Sequence, residues 1–336
     1  MDRITLKNYC KFNPVLEILG KDGTAEKHFV STVLCNLDYF DVVTVERGPQ
    51  TQTDARDGGM PAHGQLEILL DKDASAHILD PGDKDIVSIS FKDEIPVDYR
   101  NSVSKAWKAV SAYAGVPLSA RIRLLKRIPP ESGLGGGSGN AAAALVGLCR
   151  VFDLPVLPDE IESMAAEIGA DVPFFLSGGL MIGEHFGEIM TALEHQPKFY
   201  ALVLKPVRGS STREAYTKMS AMLEFTGDGP ARAARSTRKF TDSLDSGASV
   251  IPHMRNDFDL YLLKNMPEAG AVFGWLQSNG AEKVLAAGSG SAICGIYSTR
   301  PDADLAALAK EELGAILELA IHAAPHDSGI EVVDWE

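Results

Sequence analysis

The feature that most narrows what this 336-residue chain can become is the run E-S-G-L-G-G-G-S-G-N at residues 131–140. Five of the seven residues from Gly133 to Gly139 are glycine. Each glycine adds conformational entropy that folding must remove. Such density is kept where the backbone takes positive φ or lies against another group with no β-carbon between them. Residues 121–128 (R-I-R-L-L-K-R-I) alternate in part and read as a strand, while 140–152 is nearly all apolar and reads as a buried helix. A strand that passes through a glycine loop into a helix gathers unpaired amides and a positive dipole end in one place, a cradle for phosphate. The bland alternative, a tight turn that only lets strand and helix pack, needs fewer glycines than five in seven.

Two familiar phosphate loops fail on spacing. A Walker A loop is GxxxxGK[ST], but Gly133 is followed five residues later by Ser138, with no Lys-Ser/Thr pair. A dinucleotide fingerprint is GxGxxG; Gly133 and Gly135 fit, but Ser138 stands where the last glycine belongs.

Around this loop the chain reads as α+β. Residues 1–45 are strand-like, with a turn signal G-K-D-G at 20–23, and 65–70 and 85–91 return to strand composition. Val103, Ala106, Trp107, Val110 and Tyr113 stand at helical spacing within 101–114, and 158–168 is a second helix that Gly169 stops. Further on, 173–176 reads as loop, 179–183 and 200–207 as strands, 257–264 and 269–278 as helices, 287–291 as loop and 292–297 as strand. Residues 48–64 read as an exposed loop. Residues 226–250, rich in Gly, Ser, Asp and Arg, read as a mobile insertion. Strands first, then helices with strands interspersed, is α+β order rather than a regular doubly wound sheet.

Hydrophobic residues make up 45% of the chain, enough for one large domain or two intimately joined ones. The net charge of −14 argues against nucleic acid or anionic membrane as partner, though a local set of amides and lysines can still hold a small anion. Cys10, Cys35, Cys149 and Cys294 are scattered without metal-ligand spacing and read as free thiols. No apolar run of 18 residues occurs, so the expectation is a soluble, cytoplasmic protein, monomer or homodimer, without membrane or nucleic-acid partners.

The segment P-E-S-G-L-G-G-G-S-G-N-A-A at 130–142 resembles the phosphate-binding motif of the GHMP kinase superfamily. Its triple glycine resembles the 4-diphosphocytidyl-2-C-methyl-D-erythritol kinase branch. Three further segments are similar to that branch in the same order: K-F-N-P-V-L-E-I-L-G at 11–20, G-A-D-V-P-F-F-L-S-G-G at 169–179, and N-D-F at 256–258 with A-G-S-G-S at 287–291. The resemblance implies a two-lobed GHMP kinase fold with the active site in the interlobe cleft. We expect an N-terminal lobe at 1–155 carrying the glycine loop and a C-terminal lobe at 156–336 containing the insertion at 226–250. It further implies ATP at Gly133, Leu134, Gly135, Gly136, Gly137, Ser138, Gly139 and Asn140, with Mg²⁺ accompanying it. The substrate is then a small molecule, the cytidine-diphospho-methylerythritol of isoprenoid precursor synthesis or a related alcohol. A GHMP kinase for another alcohol or sugar, or a silent nucleotide-binding member, is the alternative.

Transfer of a phosphoryl group to an alcohol asks for a carboxylate near the hydroxyl and a cation near the developing charge. Asp171 follows the Gly169 helix stop and precedes Val172-Pro173, and Lys11 stands in an otherwise uncharged stretch at 8–15. By resemblance they match the family's catalytic pair; otherwise they are a loop cap and a surface charge. Ser138 can ligate Mg²⁺, touch a phosphate or cap the helix. Asn13 and Thr212, the latter in S-T-R-E-A-Y, are substrate-side candidates, and Thr212 reads equally as an N-cap. The family follows its turn with D-G-[YF]-H, whose aromatic and histidine hold cytosine. Here His28 takes the histidine's place, and the aromatic has become Lys27.

Overall fold

The computed structural model describes residues 1–23, 27–48, 66–71, 100–116, 118–223 and 229–336. The expected loop at 48–64, beyond Gly48, and the expected strand at 85–91 lie outside the described residues. Strands β1 (Arg3–Lys21) and β2 (His28–Arg47) pair antiparallel from Arg3 opposite Glu46 to Lys21 opposite His28, so the G-K-D-G signal marks the reversal between them. Pro14 is accommodated because the register shifts between Phe12 and Val15, freeing that position from the ladder.

Strand β4 (Ala120–Leu125) lies antiparallel to β2, and β3 (Leu66–Asp71) runs parallel to β4. The last strand, β14 (Ile330–Trp335), returns to the free edge of β1, giving the order β14-β1-β2-β4-β3. The β5 (Leu180–Glu184) and β6 (Ile189–Ala192) hairpin adds to β2. The short pairings β8 (Gly229–Pro230), β9 (Arg255–Asn256) and β13 (Pro325–His326) join the same sheet. A second, antiparallel sheet has the order β10 (Lys283–Ala286), β11 (Ile293–Tyr297), β7 (Tyr200–Pro206), β12 (Leu317–Ala323).

Among the described residues three large cores, and a small fourth of Tyr9, Phe40 and Val42, hold these layers. Ile4, Leu6, Val43 and Val45 pack with helices α1 (Ser102–Ala114), α2 (Gly136–Val151), α3 (Pro158–Ile168) and α4 (Val172–Ser177). Phe12, Val15, Val33 and Leu37 pack against the second sheet and α6 (Arg235–Asp245). The remaining helices, α5 (Thr212–Leu223), α7 (Phe258–Asn265), α8 (Pro267–Ser278) and α9 (Leu305–Leu313), share the third core with β7, β11 and β12. Helix α2 approaches the first sheet closely because Ala141–Ala144 are all fully buried and small. A β-carbon at Gly147 would come within 2.7 Å of Val45.

The structure differs from the sequence reading at three places. Helix α2 starts at Gly136, so Gly136 and Gly137 open its first turn behind the Gly135 cap rather than lying in a loop ahead of it. The stretch read as loop at 173–176 is helix α4, in which Pro173 sits where a proline's missing amide costs nothing. Residues 229–250 are ordered: α6 buries Thr237, Phe240 and Leu244, and the carboxylate of Glu17 in β1 accepts the amides of Ser236 and Thr237 at its start. Few apolar residues suffice there because they fall on one helical face and a buried carboxylate supplies the cap. Helices α3 and α4 complete the first core, and β14 closes its sheet.

Candidate active site

Lys11 lies in β1 beside a register shift between Tyr9 and Lys11, the kind of irregularity that re-aims a strand side chain. Its amide donates to the Leu134 carbonyl at 2.9 Å, tying the strand to the glycine loop. The Lys11 Nζ donates to Asn13 Oδ1 at 2.7 Å and stands 3.9 Å from Asp171 Oδ2. Asn13 is itself held, because its Nδ2 donates to Thr32 Oγ1, which donates to the Val15 carbonyl. Its oxygen is thereby left for the lysine. Lys11 is only 6% exposed, and burial pushes its amine below the ordinary 10.5, with the Asp171 carboxylate pulling back. Asp171, immediately before α4, keeps its side chain 44% exposed. The pair is thus a buried cation beneath a carboxylate that faces the cleft.

The glycine loop is built around that pair. Gly135, at φ 75°, caps α2, and the first helical bond runs from the Gly139 amide to its carbonyl. The amides of Gly136, Gly137 and Ser138 precede that bond and have no helical acceptor. Gly133, at φ 80°, has no room for a side chain, since a β-carbon would overlap the Ala287 carbonyl oxygen. Ser132, buried, accepts from the Leu134 amide and donates to the Pro129 carbonyl, so it shapes the loop from behind.

The second glycine-rich segment, 287–291, completes the wall. The Glu131 carbonyl accepts from the amides of Ser210 and Ser291, and the Ser132 carbonyl from Ala292. Asn256 donates to the carbonyls of Ala286 and Gly288, which explains the asparagine of the N-D-F segment as a brace for this loop. Its neighbour Asp257 accepts from the Ile18 amide and from Arg232 and Arg255, fixing β1. Asp259 accepts from the Ala286 amide, and burial pushes its carboxyl up to about 7.

A cavity of about 1060 Å³ runs between these walls. Lys11, Asn13, His28, Asp171 and Thr212 all line it, as do Gly133, Gly135, Gly136, Gly137 and Ser138. Leu134, Gly139 and Asn140 are turned to the interior: all three are buried, and Gly139 abuts the Asn8 amide. Thr212 is not the N-cap of α5. Ser211 precedes that helix and its carbonyl accepts the Ala215 amide, whereas the Thr212 hydroxyl bonds the Ser289 hydroxyl at 3.0 Å.

The cavity also carries groups that sequence reasoning did not single out. Tyr216, four residues after Thr212, stands with its ring centroid 4.9 Å from that of His28. The His28 imidazole bonds the Ser220 hydroxyl, and burial followed by the nearby Lys21 lowers its pKa, keeping the ring neutral at pH 7. Phe186, Glu188, Ser102 and Lys105 also line the cavity, and the Ser102 hydroxyl lies beside Gly137. The tyrosine was visible within S-T-R-E-A-Y; Phe186 carried no sequence signal beyond a lone aromatic between two short strands. Among the described residues no group of three or more His, Cys, Asp or Glu could hold a metal by themselves, and no helix is long and apolar enough to cross a membrane.

Comparison with known proteins bears on these walls. Residues 101–179, from α1 through the glycine loop to α4 and the glycines after it, match the GHMP kinases N terminal domain. A 4-diphosphocytidyl-2-C-methyl-D-erythritol kinase from Chlorobium phaeobacteroides (strain BS1) is 31% identical over 313 residues, covering 91% of this chain and 93% of the relative. One of the same name from Desulfitobacterium hafniense (strain Y51) is 36% identical over 218 residues, covering 61% and 71%. Among solved structures, a crystal structure of 4-(cytidine 5'-diphospho)-2C-methyl-D-erythritol kinase superposes with a TM-score of 0.66 at 25% identity, covering 96% of this chain and 98% of that one. Sequence over nearly the whole length and fold over nearly the whole length point the same way, and the chain belongs to the 4-diphosphocytidyl-2-C-methyl-D-erythritol kinase family of the GHMP kinases.

Proposed function

We propose that the chain transfers the γ-phosphoryl group of ATP to the 2-hydroxyl of 4-diphosphocytidyl-2-C-methyl-D-erythritol, a step of isoprenoid precursor synthesis. The observation that carries this reading is the Lys11–Asp171 pair, 3.9 Å apart, in one cavity with the glycine loop and with His28. The lobes meet at this cavity. The N-terminal lobe comprises the first sheet with α1 to α4, and the C-terminal lobe the second sheet with α5 to α9.

In this reading the free amides at the start of α2 hold the phosphates, and Ser138 adds a hydroxyl. The acceptor hydroxyl lies against Asp171. As its oxygen bonds the γ-phosphorus, its proton passes to the Asp171 carboxylate, and the bond to the β-phosphate oxygen breaks to release ADP. Lys11 offsets negative charge on the acceptor oxygen, and Asn13 holds the lysine in place. Such general base assistance contributes about 10²–10⁴ in rate. Mg²⁺ suits this donor set. With few carboxylates available, it would be held by the nucleotide's phosphates, water and the Ser138 hydroxyl, the arrangement a hard, reluctantly dehydrated cation favours. When bound, it neutralises phosphate charge.

The test is ATP consumption against a panel containing the cytidyl compound, homoserine and mevalonate. Turnover confined to the cytidyl compound supports the reading. Turnover confined to another alcohol would place the chain's substrate elsewhere in the superfamily, an outcome for which Lys27, in place of the family's aromatic, is the specific motive.

A further inference from the structure

We infer that Asn36 of β2 is a positioning residue for the phosphoryl transfer. Its side chain couples the strand that carries Lys11 to the helix that follows Asp171, and so sets the separation of that pair. The inference rests on the roles proposed above for Lys11 and Asp171, and adds a residue that is not part of the cavity wall.

The β1–β2 ladder breaks between Tyr9, opposite Phe40, and Lys11, opposite Asn36. A break of this kind re-aims a side chain, but it also interrupts the main-chain bonding between the strands. The Asn36 side chain bridges the gap. Its Nδ2 donates to the carbonyls of Tyr9 and Cys10 at 3.2 Å each, the two residues immediately before Lys11. Its Oδ1 accepts the Gly179 amide at 3.0 Å, and the Asn36 amide donates to the Gly179 carbonyl at 3.1 Å. Gly179 lies two residues beyond α4, and Asp171 immediately precedes that helix. One fully buried asparagine is thus bonded to both segments that carry the pair.

The pair needs such a frame. At 3.9 Å, Lys11 Nζ and Asp171 Oδ2 stand farther apart than a hydrogen bond, so their own contact does not fix their geometry. Helix α4 has only six residues, with Pro173 in its first turn, so a shift at its far end is carried to Asp171. Gly178, at φ 68°, leaves no play behind the helix, because a β-carbon there would come 1.9 Å from the Gly329 amide nitrogen. A position opposite Lys11 that only had to be filled would suit an apolar residue, like its buried neighbours Leu34, Cys35 and Leu37. A buried amide costs free energy unless it is bonded, and here both its nitrogen and its oxygen are.

The experiment compares the wild type with Asn36→Ala, Asn36→Ser and, as a control for lost stability, Val272→Ala, a buried position of α8 in the third core. Two things are read: kcat with KM for the cytidyl substrate and for ATP, and the titration of the Lys11 amine. The titration is followed by carbon-13 NMR of lysine labelled at Cε, with the resonance assigned through Lys11→Arg. A misplacement of about 1 Å can cost about one-hundredfold in rate. The expected result for Asn36→Ala is a fall in kcat of about tenfold to one-hundredfold, with both KM values little moved. The Lys11 titration moves to lower pH, because the Asp171 carboxylate that supports the charged amine is no longer held beside it. Cys10, the other group acting on Lys11, is the same in every variant. Asn36→Ser, whose single hydroxyl serves part of the network, lies between, and decides the matter should Asn36→Ala not fold. Val272→Ala loses stability and keeps the wild-type kcat and titration. A wild-type kcat, or a Lys11 titration that stays or rises, overturns the inference and leaves the proposed activity standing; so do equal changes in Val272→Ala. A wild type inactive on the cytidyl compound overturns the proposed activity, while the NMR titration still decides the coupling.

Discussion

Lys11 meets two demands that ordinarily exclude one another: it lies almost wholly out of water, yet the proposed reaction needs it as a cation. Burial lowers its pKa from 10.5 while the Asp171 carboxylate opposes the shift, and the amine donates to the Asn13 oxygen. If the charged form is the active one, activity is complete below that lowered pKa and is lost as pH rises through it. We expect kcat, measured from about pH 6 to pH 11, to show an alkaline limb below the ordinary lysine value. Lys11→Arg, whose guanidinium stays charged, should remove that limb while lowering the rate; a limb unchanged in that variant contradicts the role. Lys11 and Asp171 were legible in the sequence because each sits in a motif whose neighbours are themselves constrained, a strand segment in one case and a helix stop followed by Val-Pro in the other. Leu134, Gly139 and Asn140 were grouped with the ligand contacts because motif membership says nothing of which way a residue faces once the helix begins at Gly136. Phe186 was missed for the opposite reason. Only the hairpin's pairing with β2 brings it beside Lys27, and that pairing is a tertiary fact.

At the scale of elements, period and punctuation located α1, α3, β4 and β7 nearly as they stand, because each has a clear start or stop: Asn101 accepts the Val103 amide, and Gly115 closes α1 at φ 70°. Helix α6 was read as a mobile insertion because its stabilisation lies outside itself. The buried Glu17 of β1 accepts three bonds from Ser236 and Thr237 main-chain groups, and Thr237 bonds Ser31 of β2. Glu17→Ala should therefore cost on the order of 2 kcal/mol, the range for orphaning buried donors. Denaturant unfolding measures that cost, and hydrogen exchange should show the loss concentrated in α6. A variant as stable as the parent, with α6 equally protected, would mean the cap is dispensable.

The whole molecule is closed by its last strand. Asn8 pairs with Ile330 and Ile4 with Trp335, while Arg3 reaches Asp334 and Glu336. Since β1 also carries Lys11 and Asn13, the C-terminal strand supports the site at a distance. A chain ending at Asp327 leaves the β1 edge bare over Ile4–Asn8, and we expect Tm to fall by on the order of 10 °C; an unchanged Tm would contradict this reading of β14. The α+β class and the cleft followed from the sequence, but not this closure, because residues 305–335 hold no motif and their pairing spans the chain. The central claim is that one cavity joins a glycine-loop phosphate cradle to a Lys–Asp pair that moves phosphate onto an alcohol. The most direct test is the rate of γ-phosphoryl transfer from ATP to the 2-hydroxyl of 4-diphosphocytidyl-2-C-methyl-D-erythritol, followed by phosphorus NMR for the wild type and Asp171→Asn side by side. The account predicts transfer to that hydroxyl by the wild type and a rate lower by about 10²–10⁴ in the variant. Equal rates, or no transfer by the wild type, would contradict it.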